Sequence, residues 1–445
     1  MTELTNPSIL PGFMELLPEE QVLFDQMKKT IEDQFILYGF WPLDTPAIEK
    51  MDILLAKGGG ETSKQIYRIE KGDHSAEQAL RFDLTVPLAR YVAQYSQKLS
   101  FPFRRYQIAK VYRGERSQKG RYREFYQCDI DIVGKEQLSL INDAEIPAVI
   151  DQIFQKFALA QPIFHINHRG LLNGFFATLG IKDSTEVLRA IDKLAKIGKE
   201  EVRSLLLEAG LSSENTDKIF SFLEISGSNQ EKLDQLNKMA QENSDYPEFL
   251  QGIEDLCAVY KNMSAFGISE ERIEIDLSIT RGLDYYTGMV YETFLKGYEE
   301  IGSICSGGRY DDLASNFTRE KLPGVGLSIG LTRLFYQLSA AELIQPKKGD
   351  YLKALVIPMA EEDLSYAIDL VKRLRHEGLV SQLYAEKGKM KKKFSYADSI
   401  GARFAFILGE NERTEKKVSL KDLSTGEQKT MPLEEAIDLI KYHSN

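Results

Sequence analysis

The segment Phe101–Gly134 constrains the fold more than any other part of the chain. It reads as a hairpin of two long strands, and a strand's two-residue period sorts its side chains into two faces. On the second strand Tyr122, Tyr126, Cys128, Ile130 and Ile132 share one face with Glu124. Arg121, Arg123, Phe125, Gln127, Asp129 and Asp131 share the other. The first is an ordinary core face. The second is a row of hydrogen-bonding groups with one aromatic ring among them. Charge runs are usually solvated, but a solvated face has no use for a lone phenylalanine. A nucleotide site has, because a ring stacks on a base while arginines hold phosphates. On the first strand Ala109 and Val111 precede Arg113 on its own face, small neighbours that leave room beside the guanidinium.

Three further segments carry the same texture. Arg81-Phe-Asp-Leu-Thr85 sets Asp83 and Thr85 on one face just before a helix with Pro87 in its first turn. Read alone, this is a helix start with capping groups. Arg281-Gly-Leu-Asp-Tyr-Tyr-Thr-Gly288 packs an arginine, an aspartate and two tyrosines between glycines. Ser306-Gly-Gly-Arg-Tyr310 and the run Gly324, Gly326, Gly330, Arg333 put glycines where a backbone must approach something closely.

Around these segments the chain divides by pattern. Residues 16–38 read as a helix, and Phe40–Ile48 as an extended edge or interface strand because of Pro42 and Pro46. From 168 to 263 the pattern is helical, at Thr185–Ile197, Glu200–Ala209, Thr216–Leu223 and Phe249–Met263. Strands return at Arg272–Ile279 and Met289–Phe294, and Gly324–Leu338 reads as a strand entering a helix. After a polar joint at Gln345–Asp350, strands and helices alternate to the end, which implies a small α/β domain. The expected division is 1–167 and 264–344 for the core, 168–263 for a helical insertion and 345–445 for the last domain.

Composition excludes several classes. With 445 residues, 43% hydrophobic and 28% charged, the chain can build real cores, about three domains' worth. No apolar run is long enough to span a membrane, and the first twenty residues lack the basic start and small-residue cleavage site of a signal peptide. The expectation is a cytoplasmic protein with no membrane partner. Three dispersed cysteines and five scattered histidines offer neither a disulfide framework nor a zinc spacing, so no protein-held metal is expected. A net charge of −11 argues against coating nucleic acid by overall charge, though basic patches stand at Arg113–Arg123 and Lys387–Lys393.

Together these segments resemble the histidyl-tRNA synthetases, a class II aminoacyl-tRNA synthetase family, over nearly the whole chain. Phe40–Ile48 is similar to the class motif at the dimer interface. Tyr112-Arg-Gly-Glu115, the loop to Gly120 and Arg121–Phe125 are similar to the second motif, and Gly324–Arg333 to the third. Arg281–Tyr286 is similar to the histidine signature of this one family. The C-terminal part, including Lys393-Phe-Ser-Tyr-Ala-Asp-Ser-Ile-Gly-Ala402, resembles its anticodon-binding domain. Thr332 departs from the third motif, which usually has an acidic residue before its arginine.

The resemblance implies an α+β fold: an antiparallel sheet flanked by helices, with a helical insertion and a C-terminal α/β domain. It implies histidine activation by ATP and transfer of histidyl to histidine tRNA, by a homodimer, with Mg2+ arriving on ATP. Arg113 and Arg281 would carry charge at the α-phosphate or the carboxylate. Glu115, Arg121, Phe125 and Arg333 would hold ATP, with adenine between Phe125 and Arg333. Asp83, Leu84, Thr85 and Gln127 would surround the substrate ammonium. Asp131 and Tyr286 would bind its imidazole, with Tyr285 and Tyr310 as walls. Gln118 would read the tRNA acceptor end. Lys391 and Lys392, with Lys387, Lys389 and Lys393 nearby, would meet the anticodon arm. The competing expectation is a paralogue that regulates ATP phosphoribosyltransferase; a third is a class II synthetase for another amino acid, against which Arg281–Tyr286 speaks.

Overall fold

The computed structural model describes residues 4–56, 64–71, 74–116, 120–280, 286–347, 349 and 351–443. It separates into two compact units, one of Met1–Glu15 with Gln26–Leu343, the other of Leu16–Asp25 with Ile344–Asn445. This division is coarser than the four parts expected, because the helical segment after residue 168 clusters with the core around it.

The larger unit is built on an eight-stranded sheet. In chain order its strands are β1 (Trp41–Pro42), β5 (Phe103–Tyr112), β6 (Glu124–Val133), β7 (Pro162–His168), β8 (Ile273–Ile275), β9 (Met289–Leu295), β10 (Cys305–Tyr310) and β11 (Gly324–Gly330). A separate three-stranded sheet holds β2 (Ile48–Lys50), β3 (Arg68–Lys71) and β4 (His74–Leu80). The large sheet runs β1-β5-β6-β11-β10-β9-β7-β8. Its interior pairs are antiparallel, and only the outermost pairs, β1 with β5 and β7 with β8, are parallel.

The hairpin is β5 and β6, paired from Phe103↔Val133 to Tyr112↔Glu124. On its apolar face Cys128, Ile130 and Ile132 are fully buried. Each isoleucine contributes about 1.5–3 kcal/mol of burial. On the other face the register sets Arg105 beside Asp131, Gln107 beside Asp129, Ala109 beside Gln127 and Val111 beside Phe125. This face is also covered at its inner end, where Arg105, Gln107, Asp129 and Asp131 are each at most 3% exposed. Ala109 and Val111 do not leave a gap as expected; they pack with Leu84 against Phe125.

Several expected strands are shorter. Phe40–Ile48 supplies only β1 to the large sheet and the first residue of β2 to the small one, because Pro42 and Pro46 have no N–H for a ladder. Arg272–Ile279 supplies only β8, because the Asp276 carboxylate accepts from Ser278 N and Oγ and turns the chain. In the helical segment Thr185–Ile197 is two helices, Thr185–Ile191 and Leu194–Ile197, and two further helices stand outside the expected ones. Asn229–Glu242 is capped by Ser228 and Glu231, and Arg169–Thr178 follows β7 directly.

The second unit carries β12 (Ala354–Pro358), β13 (Ser381–Leu383), β14 (Phe404–Leu408), β15 (Lys417–Asp422) and β16 (Gln428–Pro432), in the order β13-β12-β14-β15-β16. Period-two alternation divides its core. Ala354, Val356, Phe404 and Phe406 join one cluster with the helices Leu364–His376 and Leu433–Tyr442. Leu355, Ile357 and Ala405 join another with the helix Met390–Ser399. Parallel pairs β12–β13 and β12–β14 are thereby covered on both faces.

Close approach on β11 is tightest at Gly326. A Cβ on Gly326 would stand 2.1 Å from Asp131 Oδ1 and 2.8 Å from Ile130 O. Gly326→Ala should therefore cost about 1–3 kcal/mol of stability by overpacking. A thermal melt should show a clearly lowered midpoint, and an unchanged one would contradict the packing described.

Candidate active site

A cavity of about 460 Å³ opens on the polar face of β6. Asp83 and Thr85 enter it from the start of the helix Thr85–Tyr95, and Arg113, Glu115 and Arg121 from the turn between β5 and β6. Phe125, Gln127 and Asp129 reach it from β6, and Tyr286 stands on the wall near Glu292 of β9. Ser328 and Gly330 of β11 and Arg333 of the helix Leu331–Ala340 close the remaining side. Nine residues expected from the sequence are thus brought to one cavity: Asp83, Thr85, Arg113, Glu115, Arg121, Phe125, Gln127, Tyr286 and Arg333.

The floor is buried charge. Arg105 is fully buried and stands 2.5 Å from Asp131, with NH2 also donating to Leu84 O at 3.3 Å. Its field acts on three buried carboxylates, those of Asp83, Asp129 and Asp131. One arginine cannot balance three, and burial disfavours the charged form of each acid. Burial pushes Asp83 up to about 6 against the pull of the Val86 amide, Arg113 and Arg105. It pushes Asp129 up to about 7 against Arg105 and the Ser328 hydroxyl. Asp131 is raised by burial too, opposed by Arg105 and Tyr310.

Two acceptors on this wall are left over. Asp83 caps its helix through Oδ1, which accepts from Val86 N at 3.2 Å, while the buried Oδ2 has no partner among the described residues. Gln127 donates through Nε2 to Ser328 Oγ at 2.9 Å, and its buried Oε1 has no partner among the described residues. Orphaned acceptors of this kind cost about 1–3 kcal/mol each unless a ligand donor meets them. A carboxylate and an amide carbonyl in one cavity suit a cationic N–H donor, as an ammonium is.

The mouth is basic and aromatic. Arg113 Nε donates to Phe82 O at 3.0 Å, and its guanidinium carbon lies 5.2 Å from the Phe125 ring centroid. Arg113 therefore covers Phe125 here, while Arg333 donates to Ile301 O at 3.4 Å. Glu115 and Arg121 are 3.8 Å apart, and Arg123, outside the cavity, braces Glu115 O at 3.1 Å.

Three expected residues lie behind the wall rather than on it. Asp131 is not presented to the cavity, because one oxygen meets Arg105 and the other accepts from Tyr310 Oη at 2.8 Å. Tyr310 is spent on that bond, and Leu84 is fully buried beneath Phe125. Arg281, Tyr285 and Gln118 lie outside the described residues. Lys391 and Lys392 are exposed at the start of the helix Met390–Ser399, but Lys393 is not a surface cation. It is 5% exposed and donates to Pro358 O at 2.6 Å. Lys387 pairs with Glu361 at 3.1 Å.

Tyr122, expected on a core face, lines the cavity instead. Ser328, to which the sequence assigns no role, shares the cavity-facing parity of β11 with Gly326 and Gly330. Thr332 has a structural use: its buried Oγ1 accepts from Tyr126 N at 2.8 Å and ties the helix Leu331–Ala340 to β6.

Comparison with known proteins places the chain in a family. The family model described as histidyl-tRNA synthetase matches residues 12–334, and the anticodon binding domain model matches 353–443. The chain belongs to the histidyl-tRNA synthetase family. It is 52% identical to a histidine–tRNA ligase of Clostridium tetani over 99% of both chains. It is 51% identical to one of Finegoldia magna over 98% of this chain and 100% of that one. Among solved structures, histidyl-tRNA synthetase from Nostoc sp. PCC 7120 superposes with a TM-score of 0.89 at 40% identity, covering 99% of this chain and 100% of that one. The α+β core and C-terminal α/β domain are those of the family. Among the described residues no helix is long and apolar enough to cross a membrane.

The floor's acidity has a measurable consequence. An acid whose folded value is raised stabilises the fold fully below its unfolded value, and that stability is lost as pH rises through the folded value. For Asp129 the window runs from about 4, the ordinary aspartate value, to about 7. The melting temperature of Asp129→Asn minus that of the unaltered protein should therefore rise across this window. A difference independent of pH would contradict the buried-charge description.

Proposed function

We propose that this family member is a histidine–tRNA ligase, forming histidyl-adenylate and pyrophosphate from L-histidine and ATP and then transferring histidyl to histidine tRNA. The observation that carries the reading is the pair of orphaned acceptors, Asp83 Oδ2 and Gln127 Oε1, in one cavity with Arg113 and Phe125. The substrate ammonium takes both acceptors, with Thr85 beside them. Its positive charge also offsets the excess of carboxylate on the floor, so binding favours ionised Asp83. The imidazole lies toward Tyr286. Asp131 reaches it only by exchanging its bond to Tyr310, which stands behind the wall, and Tyr285 is the further residue assigned to this pocket.

Adenine stacks on Phe125, with Arg333 on its far side and Glu115 and Arg121 toward the distal phosphates. Arg113 moves off the ring to the α-phosphate and, with Arg281, neutralises charge as the histidine carboxylate attacks phosphorus and pyrophosphate leaves. This step needs charge stabilisation rather than proton transfer, and permanently charged, fork-shaped guanidinium groups suit it. Among the described residues no group of three or more His, Cys, Asp or Glu side chains is placed to hold a metal ion. Glu115 and Glu292 would offer oxygen donors on the wall to a Mg2+ held mainly by ATP phosphates. Bound there, the ion supplies further neutralisation of phosphate charge.

For the second step Gln118 reads the acceptor end, and Lys391 and Lys392 hold phosphates of the anticodon arm. A cytoplasmic homodimer fits the exposed apolar side chains Ile36, Leu37 and Trp41 beside the open edge at β1. The reading as a regulator of ATP phosphoribosyltransferase loses ground, because the anticodon binding model matches 353–443 and Arg113 and Gln127 both reach the cavity.

Pyrophosphate exchange into ATP, run with each standard amino acid, tests the proposal. Histidine alone should support exchange; no histidine-dependent exchange overturns it. Arg113→Ala should lower the exchange kcat about 100- to 1,000-fold, the usual loss for one such donor, with the melting temperature little changed. A near-normal kcat would remove Arg113 from the chemistry.

A further inference from the structure

The orientation of the Gln127 amide is itself a determinant of what the cavity binds, and the groups that set it are Ser328 on the neighbouring strand and Asp129 on its own. A glutamine amide presents either its carbonyl or its NH2 to a ligand, and the two ends differ little in shape. Only the carbonyl suits an ammonium. Turned over, the NH2 would place donors against a donor, beside an Asp83 oxygen that cannot make up the loss.

Pairing of β6 with β11 sets Ser328 directly beside Asp129, and Gly330 beside Gln127. Gly326 and Gly330 flank Ser328 on the same face, so its hydroxyl is the one side-chain polar group that this stretch of β11 offers. Ser328 Oγ stands 2.5 Å from Asp129 Oδ1 and 2.9 Å from Gln127 Nε2. A hydroxyl has one hydrogen. An ionised carboxylate can only accept, so that hydrogen goes to Asp129 in a charge-assisted bond. Ser328 Oγ is then an acceptor toward Gln127, and only the NH2 end can face it. The carbonyl is left at the other end, where Oε1 has no partner among the described residues.

We propose that Ser328 and Asp129 are positioning residues for the α-amino group of the substrate. Their hydrogen bond locks the Gln127 amide with its carbonyl toward the cavity, so that selection for an amine is enforced through β11 rather than by Gln127 alone. The proposal rests on the histidine-activation reading and deepens it. Neither residue need touch the substrate.

The test is histidine-dependent pyrophosphate exchange at pH 8, above the value near 7 for Asp129, with inhibition by two analogues. Histidinol keeps the amine and imidazolepropionate lacks it. Ser328→Ala should raise the KM for histidine about tenfold, the effect of one net hydrogen bond, and leave the KM for ATP and kcat within about twofold. The preference for histidinol over imidazolepropionate should shrink by the same factor. Ser328→Thr, which keeps the hydroxyl, should restore both. Asp129→Asn should weaken histidinol more than Ser328→Ala does. An asparagine NH2 can donate to Ser328, which frees the hydroxyl hydrogen to turn the Gln127 amide over. Equal rises in both KM values, a loss confined to kcat, or an unchanged analogue preference in Ser328→Ala and Asp129→Asn would each overturn the proposal. If the unaltered protein shows no histidine-dependent exchange, the functional reading fails instead, and the two failures are distinct.

Discussion

The buried Arg105 guanidinium is the constraint on which the site depends. It is fully buried on β5 and faces Asp83, Asp129 and Asp131, of which it pairs closely with Asp131 alone. Without it, three carboxylates could not share so small a volume in ionised form. With it, the floor still carries more acid than base. The fold therefore holds a charge imbalance that a bound cation relieves, and the orphaned Asp83 Oδ2 marks where that relief is available.

The strand order converts this constraint into a cavity. β6 is central, with β5 supplying Arg105 and β11 supplying glycines. Gly326 makes room for Asp131, and Thr332 anchors the next helix to the β6 backbone. Phe125 sits at the outer end of the same row, on a small apolar patch of Leu84, Ala109 and Val111. A single strand face thus passes from a dry ionic floor to an aromatic and basic mouth, in the order that an aminoacyl group and a nucleotide would occupy it.

Much of this was legible because the two-residue period is a geometric rule. It places Phe125, Gln127 and Asp129 on one face, and Ala109, Val111 and Arg113 together on one face of the strand before it. The depth of the face was not legible. Nothing in the sequence singles out Arg105, because only the covering elements, far away in sequence, make it and Asp131 a buried pair. The resemblance gives Asp131 to the imidazole and Tyr310 to the walls, and it carries no information about the bond that joins them behind the wall. Lys393 was read as part of a basic patch, while the helix turns it inward onto Pro358 O. Strand ends were misjudged where prolines or the Asp276 turn stop a ladder. Ser328 escaped notice because its importance lies in where one hydrogen goes, and that depends on the register of β6 with β11.

The central claim is that the leftover acceptors on this floor receive the substrate amine. A crystal structure of the protein with histidinol bound tests it most directly. The amine nitrogen should lie about 2.7–3.2 Å from both Asp83 Oδ2 and Gln127 Oε1. An amine placed elsewhere, with both acceptors still unpaired, would contradict the account.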